Sequence, residues 1–194
     1  PLQKPSPPPP VRAYDVPLQR ELLIKVATDP EAQQSSVSLV RKRTRQPDDR
    51  VGDYRRGLVH RLVFQMINDR FDELARKPDA KILDAGAYAG ELSPTVETFT
   101  MAAAVEPGRL ADGLSTLGVE SNRIREFGFG PAELERARKW MLASYERAYS
   151  ERDKTESGSY AREYVSHFLE GEPSPGIEFE YRLAKEMVPA IGAA

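Results

Sequence analysis

The stretch of the chain most suggestive of chemistry is KILDAGAYAGELSP, residues 81–94. An apolar run ends at Asp84, Gly86 and Gly90 follow four residues apart, and Glu106 closes a second apolar run, AAAVEP. In a Rossmann-like methyltransferase an apolar strand ends in an acid and a glycine turn lets backbone approach the cofactor. A second strand then ends in a carboxylate that binds the ribose hydroxyls. On that pattern Asp84, Gly86, Gly90 and Glu106 are candidates for holding S-adenosylmethionine. Three features oppose it. Tyr88 occupies the place where the loop needs its central glycine, and LSPTVETFTM, where a helix is required, carries Pro94, Val96 and several threonines. After Glu106 no further strands follow to build a doubly wound sheet. The competing expectation is a hairpin in which Thr95 to Val105 runs antiparallel to Ile82 to Tyr88 and the glycines ease a tight turn or bulge.

Other chemistry is sparse. The two histidines, His60 and His167, have no neighbouring histidine, cysteine or suitably spaced acid to complete a metal site, and each fits the edge of an amphipathic helix. There is no cysteine, no P-loop and no G-x-S-x-G. The acid pairs Asp48 with Asp49 and Asp72 with Glu73 read as solvent-facing. No catalytic, cofactor-binding or metal-binding residue is therefore assigned to the chain itself.

The elements that would position these residues follow from apolar periodicity. Residues 22–26 (LLIKV) and 37–42 (VSLVRK) alternate as two strands, and RKRTRQPDDR, residues 41–50, reads as a solvated loop. Residues 57–76 form the clearest helix. Leu58, Leu62 and Met66 recur with Val59, Val63 and Ile67 on a face to bury against a sheet, while Arg61, Gln65, Asn68 and Asp72 share the other face. Lys77, Pro78 and Asp79 end it. Beyond Pro107 helices dominate. One carries Leu110, Leu114 and Leu117 and stops near Gly128. The next starts at Pro131, with Glu133 near the positive end of its dipole and Glu135 spaced to pair with Lys139. A helix with Tyr160, Tyr164 and Phe168 ends at Gly171, and the last carries Phe179, Leu183 and Met187. The order ββαββααα(α) predicts an α+β fold, a two-layer sandwich of a mainly antiparallel sheet packed by helices.

With 194 residues, 40% of them hydrophobic and 30% charged, and a net charge of -2, the chain has room for one substantial core and no bulk bias toward nucleic acid or anionic lipid. No run of residues is apolar enough to span a membrane. Lys4 to Pro10 (KPSPPPP) has the composition of a polyproline spacer, so the expected organisation is a Pro-rich linker over 1–15 and a single α+β domain over 16–194, a piece of a longer multidomain protein. Composition fixes no compartment.

Taken in order, ELLIKVATDPEAQQSSVSLVRK, GLVHRLVFQMINDRFDELAR, GAYAGELSPTVETFTMAAAV and the text from FGFGPAELERARKW to KEMVPAI resemble the second domain of insulinase-like (pitrilysin-type) zinc metallopeptidases. The resemblance covers nearly everything after the spacer. It implies repeated α+β domains, the first bearing H-x-x-E-H on a helix: the histidines hold zinc and the glutamate activates its water. The nearest text here is His60-Arg61-Leu62-Val63-Phe64, with apolar residues where the glutamate and second histidine belong. The resemblance therefore implies a zinc-free, inactive domain of a bacterial-type peptidase, with zinc in the catalytic domain of the parent chain. It would pack against the other domains of that chain and help wall a chamber for a peptide substrate, in an extracytoplasmic or periplasmic setting. Two other expectations stand beside it: the methyltransferase, and an α+β interaction module without a substrate.

Overall fold

The computed structural model describes residues 16–192; the Pro-rich segment proposed as a linker lies outside the described residues. The elements are β1 (Ser35–Thr44), α1 (Val51–Ala75), β2 (Asp84–Ser93), β3 (Val96–Val105), α2 (Leu110–Phe127), α3 (Pro131–Ser150), α4 (Ser157–Glu170) and α5 (Ile177–Met187). One antiparallel sheet has the order β1-β3-β2 and carries helices. This is the α+β class that the periodicity predicts.

The expected antiparallel hairpin is present. Tyr88 lies opposite Thr100 and Asp84 opposite Ala104, and the chain turns at Pro94 and Thr95. The glycines do not make that turn. Gly86 and Gly90 lie inside β2, facing Ala102 and Thr98, and the register irregularity falls between Glu91 and Ser93.

Two further expectations are corrected. Residues 22–26 form no strand. Leu22 and Ile24 are 84% and 82% exposed, and the segment joins no ladder. An alternating apolar pattern gives strand propensity, but propensity needs an adjacent edge to become a strand. Conversely, Arg41 to Thr44 are not loop. They continue β1 opposite Phe99 to Val96, because β3 extends far enough to pair with them.

α1 begins at Val51, earlier than its apolar stripe, since the Asp53 carboxylate accepts the Arg50 N–H at 3.2 Å and satisfies one of the helix's free donors. Its faces are divided between two clusters. Leu58, Leu62 and Met66 pack against Leu134, Ala137, Met141 and Tyr145 of α3, with Ala184 of α5, and not against the sheet as expected. Further along, Ile67 and Phe71 meet Ala85, Ala87, Met101, Ala103 and Val105 of the sheet, together with Leu117 of α2. Leu58 and Phe71 are wholly buried, each stabilising the fold by about 1.5–3 kcal/mol relative to exposure. Asn68 does not face solvent either. Its side-chain amide accepts the Ala87 N–H at 2.7 Å and donates to the Ala87 carbonyl at 3.2 Å, tying α1 to β2.

On α2 the buried residues are Gly113, Leu117 and Glu120, while Leu110 and Leu114 are largely exposed. Gly113 lies where the helix crosses the sheet: a Cβ there would come within 2.8 Å of Val105 Cγ1 and 2.9 Å of Val37 Cγ1. The helix ends at Gly128, whose φ of 62° suits glycine. Pro131 opens α3, and Glu133, near the positive end of the helix dipole as expected, also accepts the Gly130 N–H at 2.6 Å. Lys139 lies 3.7 Å from Glu135. Arg70 links α1, α2 and α3. Its Nε and Nη2 donate to Glu133 at 2.6 and 2.9 Å, Nη1 donates to Glu120 at 2.8 Å, and Nη2 also reaches the Gly128 carbonyl at 2.9 Å. α4 buries no residue: Phe168 is 86% exposed and Tyr164, Val165 and Leu169 are also exposed.

Candidate functional site

The division of α1 between two clusters leaves one end of the sheet thinly covered. Along β1 the side of the strand that carries Val37 and Leu39 continues through Arg41 to Arg43. On β2 and β3 the same side ends in Ala89 and Phe99. Above them, α1 contributes His60, Val63 and Phe64. The result is an open cleft of roughly 360 Å³, lined by Arg41, Arg43, His60, Val63, Phe64, Ala89, Thr98 and Phe99.

Its floor is apolar. Phe64 and Phe99 stack with centroids 5.5 Å apart, a favourable aromatic geometry. Its rim is cationic. Arg43 Nε is held by Glu97 at 2.8 Å, and the same carboxylate oxygen accepts the Gln46 N–H at 3.3 Å. Arg41 has no ion-pair partner among the described residues. Burial pushes the His60 imidazole below its ordinary pKa, Arg43 and Arg56 push the same way, and Glu97 opposes them. His60 is thus neutral at pH 7 and offers one donor and one acceptor without charge.

The residues considered for S-adenosylmethionine do not form a cofactor loop. Asp84 begins β2 and Glu106 follows β3 at the same end of the sheet, both exposed, but Gly86 and Gly90 run away from that end within β2. The segment 96–105 is the strand β3, where the cofactor fold requires a helix. His167 lies on exposed α4, its Nδ1 2.6 Å from the Glu172 carbonyl oxygen. The acid pairs are exposed, with Asp72 beside Arg76 and Asp48 beside Arg45.

The zinc expected in related peptidases would require a glutamate and a second histidine where Val63 and Phe64 stand. Val63 packs between both clusters and Phe64 against the sheet, so neither offers a ligand atom or a base, and the residues do not fit the metal. No cluster of three metal-ligating side chains occurs among the described residues. The arginines of the cleft escape a reading that treats RKRTRQPDDR as one polar run. The signal that finds them is the alternation Val37, Leu39, Arg41, Arg43, which places all four on one side of a strand.

No family model matches the chain. Its fold is that of insulinase-like protease domains. The first half of the periplasmic protease PqqL from Escherichia coli matches with a TM-score of 0.77 at 16% identity, over 84% of this chain and 35% of that one. A predicted insulinase family protease from Yersinia pestis matches with a TM-score of 0.74 at 13% identity, again over 84% and 35%. At the level of sequence, a zinc protease PQQL-like protein of Arabidopsis thaliana is 29% identical over 189 residues, covering 97% of this chain. The chain is thus similar in sequence to that zinc protease and in fold to insulinase-like protease domains, and it spans 17% of the length of that curated relative.

Proposed function

We propose that the chain is a zinc-free domain of an insulinase-like metalloendopeptidase, following a linker over 1–15 and occupying 16–194. It packs beside the catalytic domain of the longer protein and helps form the chamber that receives a peptide. The observation that carries this reading is on α1. In a fold shared with zinc proteases, the helix text closest to the metal-binding motif supplies His60 but then Val63 and Phe64, and both apolar side chains are engaged in packing. Zinc and the activated water belong to a catalytic domain elsewhere in that protein, which the relative's description as a zinc protease supports. The partners are then the other domains of the same protein and the peptide substrate. An extracytoplasmic setting is supported by the description of the Escherichia coli neighbour as periplasmic, and no helix among the described residues is long and apolar enough to cross a membrane.

Metal analysis of the longer protein and of the 194-residue chain tests the reading. The expected result is one tightly bound zinc in the longer protein, peptide hydrolysis that a chelator abolishes, and neither property in the chain by itself. Stoichiometric zinc binding by the chain, or a thermal shift on adding S-adenosylmethionine, would overturn it.

A further inference from the structure

We propose that the cleft between the end of β1 and α1 binds a single carboxylate borne next to an apolar side chain, the chemistry of the C-terminal residue of an unfolded peptide. This deepens the reading of the domain as part of a peptide chamber and rests on it for the biological source of the ligand, but the binding chemistry follows from the cleft alone.

The charge comes first. Of the two arginines on the rim, Arg43 is already neutralised by Glu97 at 2.8 Å, and among the described residues Arg41 is not paired. One uncommitted guanidinium complements one negative charge, and its planar fork matches a carboxylate in a bidentate manner. A dianion such as phosphate would meet Glu97 beside the second arginine, and a cation would meet both arginines. His60, neutral on the opposite wall, can donate to the second carboxylate oxygen without altering the charge balance.

The apolar half of the site selects among carboxylates. Phe64 and Phe99 make an aromatic floor, and the short side chain of Ala89 leaves it open. An aspartate or glutamate side chain brings a carboxylate without an apolar neighbour on the same carbon. A C-terminal leucine or phenylalanine carries both on one Cα, so the carboxylate meets Arg41 while the side chain covers the rings. At roughly 360 Å³ the cleft lies near the small end of ligand sites, room for one residue and not for an extended peptide. The packing of α1 explains why the space exists: Leu58, Leu62 and Met66 face α3, and only Phe64 reaches Phe99, which leaves room beside the two rings.

The test uses the 194-residue chain and a pair of probes, acetyl-Ala-Ala-Phe as the free acid and as the carboxamide. In an amide-resolved NMR titration the free acid should shift the signals of Arg41, His60, Phe64 and Phe99 in a saturable manner, at least tenfold more tightly than the carboxamide. Arg41→Gln should lose at least tenfold toward the free acid, and Arg41→Lys should recover part of it. Because Arg41 is exposed, both variants should keep the wild-type spectrum elsewhere. Equal binding of acid and carboxamide, inorganic phosphate competing as well as the peptide acid, or unchanged binding by Arg41→Gln would each overturn the proposal. In the longer protein, Arg41→Gln should raise KM for free-acid peptides and leave KM for amidated ones and kcat unchanged. Failure of the longer protein to cleave any peptide, with the acid and carboxamide still distinguished by the chain, would overturn the protease reading and support the cleft.

Discussion

Arg70 is 8% exposed and Glu120 3%, so the ion pair between them is among the most buried polar contacts in the chain. A buried carboxylate left without its partner costs about 3–5 kcal/mol, more than most single contacts contribute. Arg70→Met is therefore expected to lower the free energy of unfolding by up to about that amount in urea titrations, and Arg70→Met with Glu120→Leu should recover part of the loss because the buried carboxylate, left with only the exposed Arg123 at 3.7 Å, is gone. Hydrogen bonding to Arg70 holds the Glu133 carboxyl below its ordinary pKa, so its stabilisation is present above the unfolded value and declines as the pH falls through the folded one. Glu180 behaves in the opposite sense. Burial raises its pKa, Arg61 opposes this, and Glu163 and Glu172 reinforce it. The folded state then favours the protonated acid, and stability present below the unfolded value is lost as the pH rises through the folded one. Glu180→Gln should raise Tm at pH 7 by an amount corresponding to a fraction of a kcal/mol and have no effect near pH 4, as followed by differential scanning fluorimetry at both pH values. Neither Arg70 nor Glu180 is identifiable in the sequence. Arg70 belongs to an unremarkable NDRFDELAR, and its partners are 50 and 63 positions away; local periodicity carries no information at that range. Glu133 is different in one respect: its place near the positive end of the α3 dipole, just after Pro131, is legible, although its bonds to Gly130 and Arg70 are not.

At the scale of elements, α2 depends on the absence of a side chain. In an exposed helix Gly→Ala is favourable by about 1 kcal/mol, from backbone entropy alone. Gly113 faces two valine methyl groups at distances that a Cβ does not normally occupy, and both valines are fixed in strands. Overpacking of this kind costs about 1–3 kcal/mol, so Gly113→Ala should destabilise the chain in urea, while Gly118→Ala, with open space around the added methyl, should be neutral or stabilising. The segment 22–26, which forms no strand, shows where element prediction fails. Its pattern was correct for a strand but its neighbourhood was not, and Leu22→Ser with Ile24→Ser should change Tm by less than a degree or two, since both side chains are already exposed. By contrast, the hairpin of β2 and β3 and the helices from 110 onward are legible because caps, turns and apolar spacing act over a few residues. Which way the faces of α1 point was not legible, since Leu58, Leu62, Met66, Ile67 and Phe71 form one stripe in sequence but serve two clusters in space.

For the molecule as a whole, that sharing makes α1 the common wall of both clusters, and Val63 and Phe129 pack against each of them. Leu62→Ala on the helical side and Phe71→Ala on the sheet side should cost about 2–5 and 3–5 kcal/mol, and each should lower a single transition rather than split it. Trp140 fluorescence reports on α3 and far-UV circular dichroism on all elements, so coincident urea curves would verify the coupling and separated ones would refute it. The bond between Asn68 and Ala87 has a consequence of another kind. β2 is an outer strand of the sheet, and exposed strand edges are templates on which foreign chains add and aggregates grow. By presenting a side-chain amide to both backbone groups of Ala87, Asn68 imitates the peptide of a neighbouring strand at mid-length and denies that position to any other chain. β1, the opposite border, has no such plug described along it. Growth of this sheet, by a legitimate partner or by misassembly, is thereby directed to one of its two sides.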